Sequence, residues 1–271
     1  MSVGSTTQLR SEGLVLLPQF CFGGLRLTSM DEHAGVAWVV ARARAGSPAV
    51  VVTSHIHHVR MASNDAAFRG VVERSELNLA DGWPLVAASR LLRPGLPGRV
   101  IGIDLVDRVL GSGQRFNLAI LGGPPGAADA LADRERDRHN IVLVELLPMG
   151  IWEDQREHDE MLERVAEARP SLVLVGLGAP RQELLADALR PHISGPVLCC
   201  GNSIAVLAGT SRRAPVVARR FGLEWLFRLF QSPRRLGPRY LAGAMWFLWI
   251  AACETADRMR GSGHAPRRRA R

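Results

Sequence analysis

Asp81 stands in "LADGWPLVAASRLL", between an apolar β-type run and a helical pattern. An Asp-Gly pair there can be a plain turn or helix cap. It can also hold a carboxylate at a ligand-binding rim, able to take a proton from a hydroxyl. A second chemical element is "LGAPRQE" (177–183), which puts Gln182 in the first turn of a helix just after Gly178. Glycine permits close backbone approach, and a helix N-terminus offers unpaired N–H groups to an anion. "LGGPPG" (121–126), with Gly122 and Gly123, follows the same logic. Neither loop has the G-x-G-x-x-G spacing, so a dinucleotide site is unsupported. Either loop alone is also compatible with an ordinary tight strand-to-helix turn.

Positioning these groups requires a scaffold, and the apolar pattern supplies one. Strand candidates are 48–53, 77–80, 116–123, 140–147, 171–178 and 196–201, with helical segments between most of them. Short continuous apolar strands alternating with helices predict an α/β fold: a Rossmann-like, mostly parallel sheet with helices on both faces. Ligands of such sheets bind beyond the carboxyl ends of the strands. The residues to watch are therefore Thr53 to His58, Asp81-Gly82, Gly122 to Gly126, Gly178 to Gln182, and Gly201 to Ser203.

The expected organisation is a flexible N-terminus (1–20), an α/β core (21–215), a helical arginine- and aromatic-rich appendage (216–260) and a disordered basic tail (261–271). In the appendage, Ser232-Pro233 reads as an N-cap followed by a first-turn proline. Gly237-Pro238 predicts a break, leaving a last helix over about 239–259. Its apolar run, Tyr240 to Cys253, would extend ~21 Å at 1.5 Å per residue. That is short of the ~30 Å hydrocarbon core of a bilayer.

Composition narrows the partners. The net charge is +8, and all 34 basic residues are arginine. Guanidinium suits bidentate phosphate contact, so nucleic acid, anionic lipid or a phosphorylated ligand are the fitting classes. Nucleic acid is set aside: no binding motif is present, and Tyr240 is the only tyrosine. The four cysteines make no zinc pattern, and adjacent Cys199-Cys200 lie in an apolar run. Buried thiols in a reducing compartment are the expectation. The first residues carry no signal-peptide core, which points to the cytosol or the cytosolic side of a membrane.

Taken together, "TSHIHH" (53–58), "LADGWPLV" (79–86), "PGRVIGIDL" (97–105), "LGGPPGAA" (121–128), "VGLGAPRQE" (175–183), "AGTSRRAP" (208–215) and "GLEWLFRLFQSPRRLGPRY" (222–240) form an ordered series. The series resembles the WecG/TagA/CpsF family of bacterial glycosyltransferases over roughly residues 25–240. That resemblance implies a membrane-associated inverting transferase. It would move N-acetylmannosamine, its uronic acid or a hexose from a UDP-sugar to a sugar on a polyprenyl diphosphate. The products would be intermediates of wall polymer, capsule or exopolysaccharide. By position it implies Asp81 as general base, Thr53 and Gln182 in the pocket, and Arg99 on the ligand. Arg228, Arg235 and Arg239 would fold over the site and meet the diphosphate. It further implies homo-oligomers and a peripheral place on the inner face of the cell membrane. Aromatic residues beside arginines suit a headgroup boundary, so the appendage is expected to be membrane-binding; the alternative is that Trp225, Phe227, Phe230, Trp246 and Trp249 pack against the core or a second subunit. The chain has no Asp-x-Asp, so arginine in place of a metal cofactor is the expected arrangement.

The chain also departs from the family pattern. The first motif usually reads Thr-Pro-Asn, and His55 stands where the Asn would be; the later glycine element reads Gly201-Asn202-Ser203 and lacks its aspartate. His55 is expected to replace the Asn by hydrogen bonding to the donor, and Asn202 is placed with the binding residues. On a strand, His55 and His57 would share one face, but no carboxylate or thiol joins them at metal-ligand spacing. The altered motif leaves a second expectation open: a catalytically weakened paralogue that binds the lipid diphosphate or scaffolds a polysaccharide-assembly complex.

Overall fold

A computed structural model describes residues 17–92, 95–147, 154–215, 224–231 and 233–259. It opens with a hairpin, β1 (Gln19–Phe22) and β2 (Leu25–Thr28), paired antiparallel. The main body follows as α1 (Glu32–Arg44), β3 (Ala49–Ser54), α2 (Ile56–Asn64), α3 (Ala66–Arg74), β4 (Leu77–Ala80), α4 (Trp83–Leu92) and α5 (Gly102–Leu110). Then come β5 (Asn117–Gly122), α6 (Ala127–Glu135), β6 (Asn140–Glu145), α7 (Gln155–Ala168), β7 (Leu172–Gly176), α8 (Arg181–Leu189), β8 (Pro196–Cys199) and α9 (Ser203–Leu207). Two further helices close the described chain, α10 (Glu224–Gln231) and α11 (Pro233–Met259).

Six strands form one parallel sheet in the order β4-β3-β8-β7-β5-β6. All six match strands expected from the apolar runs. Alternate residues of each strand face opposite sides of a sheet, and here both sides are apolar. Val50, Val52, Ala119, Leu121, Val173 and Val175 pack with α2, α3, α4, α7 and α8. Val51, Leu118, Ile120, Leu172 and Leu174 pack with α1, α5, α6 and α9. This double coverage is why the strands lack the polar alternation of a half-exposed sheet. Asp31, Asp65 and Asp154 cap α1, α3 and α7 through their carboxylates, each accepting from backbone N–H groups of the first turn. Such caps satisfy donors that would otherwise lack partners.

Three expectations need correction. The segment read as a flexible N-terminus contains ordered structure, since Gln19 and Phe20 belong to β1. Four-residue strands joined by two glycines are too short for a period to show. The hairpin serves the sheet: Asn78 donates from its side chain to the Arg26 carbonyl at 2.7 Å, so β2 lies against the β4 edge. A covered edge is closed to pairing with another chain. Second, β3 ends at Ser54; His55 is the N-cap of α2, and His57 and His58 lie on that helix, not on a strand. Third, α11 runs unbroken through Gly237-Pro238. Pro238 lies in the second turn and lacks the N–H that would bond the Arg234 carbonyl, so the helix continues without that bond. Residues 1–16, 93–94, 148–153, 216–223 and 260–271 lie outside the described residues, as does Ser232, the expected N-cap before Pro233.

The C-terminal helix docks on the core. Trp246, Phe247, Ile250 and Ala251 pack against the cluster that holds Phe22 and Val59. The Phe22 and Phe247 rings are 5.7 Å apart, and Gly23 N–H donates to Glu254 Oε1 at 2.6 Å. Along its length α11 meets α2 and α4. No helix among the described residues is long and apolar enough to cross a membrane.

Candidate active site

Because every strand of the main sheet runs the same way, all six carboxyl ends share one rim. Asp81 follows β4 on that rim, and its N–H donates to the Ser54 carbonyl at 2.7 Å, tying it to the end of β3. One carboxylate oxygen, Oδ2, accepts from Gly102 N–H at 3.3 Å, at the start of α5. Val100 N–H donates to the Ala80 carbonyl at 2.9 Å, which holds the 100–102 segment beside β4. The carboxylate therefore faces the N-terminal end of a nine-residue helix, the end that favours negative charge.

Gly102 owes its identity to this crowding. A Cβ there would lie 2.8 Å from Thr53 Oγ1 and 3.8 Å from Asp81 Oδ2. Thr53, Asp81 and Gly102, far apart in sequence, thus meet at one point. Gly102→Ala is expected to cost about 1–3 kcal/mol of stability by overpacking, measured by chemical denaturation; an unchanged midpoint would contradict the close approach. Gly102, within the 97–105 segment, is not marked out by the sequence. A contact between two loops leaves no local periodicity.

His55 stands beside this group, since a Cβ on Gly82 would lie 3.6 Å from the His55 Cβ. The His55 ring caps α2, accepting from His57 N–H at 3.2 Å through Nδ1. Any hydrogen bond to a donor sugar or uracil would have to come from Nε2. Arg99 is half-buried, and its charge acts on Glu32 at the start of α1. Burial pushes the Glu32 carboxyl up, against the opposing pull of Arg108; Asp104 adds to the rise, while Arg213 and Arg99 counter it. Arg108 pairs with Glu32, and Arg213 pairs with Asp104 in the first turn of α5. Arg213, from the "AGTSRRAP" element, is a guanidinium that site reasoning from sequence passed over.

A second group occupies the adjoining strand ends. Gly122 and Gly123 take φ of 80° and 95°, a region that disfavours side chains, and Gly123 N–H donates to the Gly176 carbonyl at 2.9 Å. A Cβ on Gly122 would come within 2.7 Å of Leu177. Gln182 is buried, and its Oε1 accepts from Gly178 N–H at 3.2 Å and Gly201 N–H at 2.8 Å. Its amide thus braces the loops after β7 and β8. Asn202 is exposed, and its side chain donates to Ser211 Oγ at 3.5 Å. Arg228 lies in α10, and Arg235 and Arg239 lie in the opening turns of α11; their side chains fall outside the described residues.

Cys199 and Cys200 contribute no nucleophile. Burial pushes Cys199 well up, with the Glu183 charge adding to the effect, and pushes Cys200 up to about 12. Thiol reactivity needs the thiolate. Among the described residues no three of His, Cys, Asp and Glu gather as a metal-ligand set.

The rim thus offers one carboxylate oriented by a backbone N–H, a threonine hydroxyl beside it, and a loop at Gly178 where a Cβ would meet nothing within 4 Å. That arrangement suits proton removal from a hydroxyl next to a bound anionic ligand. In comparison with known proteins, the model of the glycosyl transferase WecG/TagA/CpsF family matches residues 20–261.

Proposed function

The chain belongs to the WecG/TagA/CpsF family of glycosyl transferases, and from that premise we propose that it transfers a sugar from a UDP-sugar to a sugar on a polyprenyl diphosphate, with inversion. The family places the reaction in cell-wall or polysaccharide biosynthesis. In one displacement the acceptor oxygen bonds to the anomeric carbon, the bond to the UDP oxygen breaks, and the acceptor proton passes to Asp81. A fixed carboxylate lowers the barrier only if its geometry exists before the acceptor arrives. The observation that carries this reading is the hold on Asp81, with Gly102 N–H on one oxygen and the Thr53 side chain alongside.

Negative charge grows on the departing diphosphate, and guanidinium groups placed there would stabilise it. Arg99 from the core, with Arg228, Arg235 and Arg239 from the C-terminal helices, are the assigned groups. In this reading they replace a metal. Thr53, His55, Gln182, Asn202 and the loop glycines Gly122, Gly123 and Gly178 shape the donor subsite. The aromatic face of the C-terminal helices rests on the inner membrane surface, where the lipid acceptor lies, and homo-oligomers are part of the same reading.

One observation favours a second reading. His55 stands where the family carries Asn, and its ring is engaged in capping α2, so donor binding could be lost and a scaffold role left. A panel of UDP-sugars, assayed for UDP release with and without a polyprenyl-diphosphate-linked sugar, separates the two. Acceptor-dependent release with at least one donor is expected. No turnover with any donor, alongside tight acceptor binding, would move the assignment to the scaffold.

A further inference from the structure

Behind the rim a buried hydrogen-bonded chain connects the two halves of the site. Glu183, in the first turn of α8, is wholly buried, and His58 is 2% exposed. Glu183 Oε1 accepts from Gln182 Nε2 at 2.7 Å and faces His58 Nε2 at 3.2 Å. On its other side His58 Nδ1 accepts from His55 N–H at 3.3 Å. That bond fixes the tautomer: with Nδ1 as acceptor, the ring hydrogen sits on Nε2 and is donated to Glu183.

The same logic sets Gln182. With Nε2 given to Glu183, Oε1 must face the N–H groups of Gly178 and Gly201, as observed. A flipped amide would set its NH2 against two donors. One acid therefore decides how the Gln182 amide points, and one histidine transmits that order to the His55 backbone. Taking an acid fully out of water is costly, and Glu183 Oε2 has no hydrogen-bond partner. Packing alone would be served better by an apolar side chain.

We infer that His58 and Glu183 form a positioning unit for the donor subsite, locking the His55 backbone and the Gln182 amide in register so that a nucleoside diphosphate meets both loops preset. The inference rests on the proposed donor reading and deepens it. Neither residue touches the reacting atoms; each acts through another.

UDP serves as the probe. His58→Phe keeps a ring beside Phe68 (centroids 6.1 Å from His58) and removes both hydrogen bonds. It is expected to weaken UDP binding about tenfold by calorimetry, raising donor KM more than it lowers kcat. Glu183→Gln keeps an Oε1 acceptor and is expected to weaken UDP binding less than His58→Phe does; a larger loss than that of His58→Phe would count against the acceptor role given to Oε1. His58→Phe binding UDP as wild type does would overturn the positioning role and leave the donor reading standing. Wild-type protein that binds no UDP would overturn the donor reading, and this inference with it. Amide exchange on the wild-type chain covers a variant that fails to fold: UDP should slow His55 and Gly201 together, and protection at Gly201 without His55 would refute the coupling.

Discussion

Asp81→Asn is expected to lower kcat about a hundred- to ten-thousandfold, or about 3–5 kcal/mol of transition-state stabilisation, with UDP affinity nearly unchanged. Asparagine has the same shape, and its oxygen can still accept from Gly102 N–H, the bond that now holds Oδ2 at 3.3 Å. The contact with Thr53 and Gly102 therefore survives, and only basicity is lost. An interaction made during proton transfer appears in kcat, whereas uniform binding appears in KM. Steady-state UDP release, paired with calorimetric UDP binding, measures both. A kcat within about threefold of wild type would remove Asp81 from the role of base. Asp81→Ala is a poorer test, because it also strips Gly102 N–H of this acceptor and opens a gap beside Thr53.

The division between what was legible and what was hidden follows sequence distance. The six core strands were readable because each is a continuous apolar run, the signature of burial on both faces. Placing Asp81, Gln182 and the glycine loops on one rim followed at once from parallel strands. The contacts at the rim did not follow. Gly102 is set by a close approach to Thr53, and Arg213 by an ion pair with Asp104. Neither leaves a mark within a few residues of itself. The pairing of His58 with Glu183 was hidden for the same reason, the two being 125 positions apart. The break expected at Gly237-Pro238 came from local propensity alone, and the observed helix continues through it. Propensity is a weak prior that context overrides.

The C-terminal helix makes the other large effect, and it separates by face. Gly243, Trp246, Phe247, Ile250 and Glu254 recur at helical spacing on the docked side, which meets the hairpin and α2. Met245, Leu248 and Trp249 form the opposite side and are 63%, 63% and 61% exposed, and Phe230 of α10 is 77% exposed. Deleting residues 222–271 would therefore test nothing cleanly, since it would uncover Phe22 and Val59 as well as remove the outer face. Substitution by face avoids this. Trp246→Ala, which empties a half-buried site, is expected to cost about 2–3 kcal/mol and to lower Tm by about 4–10 °C. Changing Met245, Leu248 and Trp249 together to Gln should leave Tm within about 2 °C, because those side chains pack against nothing in the core. The same triple change is expected to weaken binding to anionic vesicles about thirty- to a hundredfold, from the loss of three partly buried apolar side chains. Co-sedimentation with phosphatidylglycerol vesicles reads the effect, and wild-type-like pelleting of the triple variant would reject the membrane assignment for this face. If vesicle binding persists while an oligomer falls to monomers, the outer face covers a second copy of the chain instead.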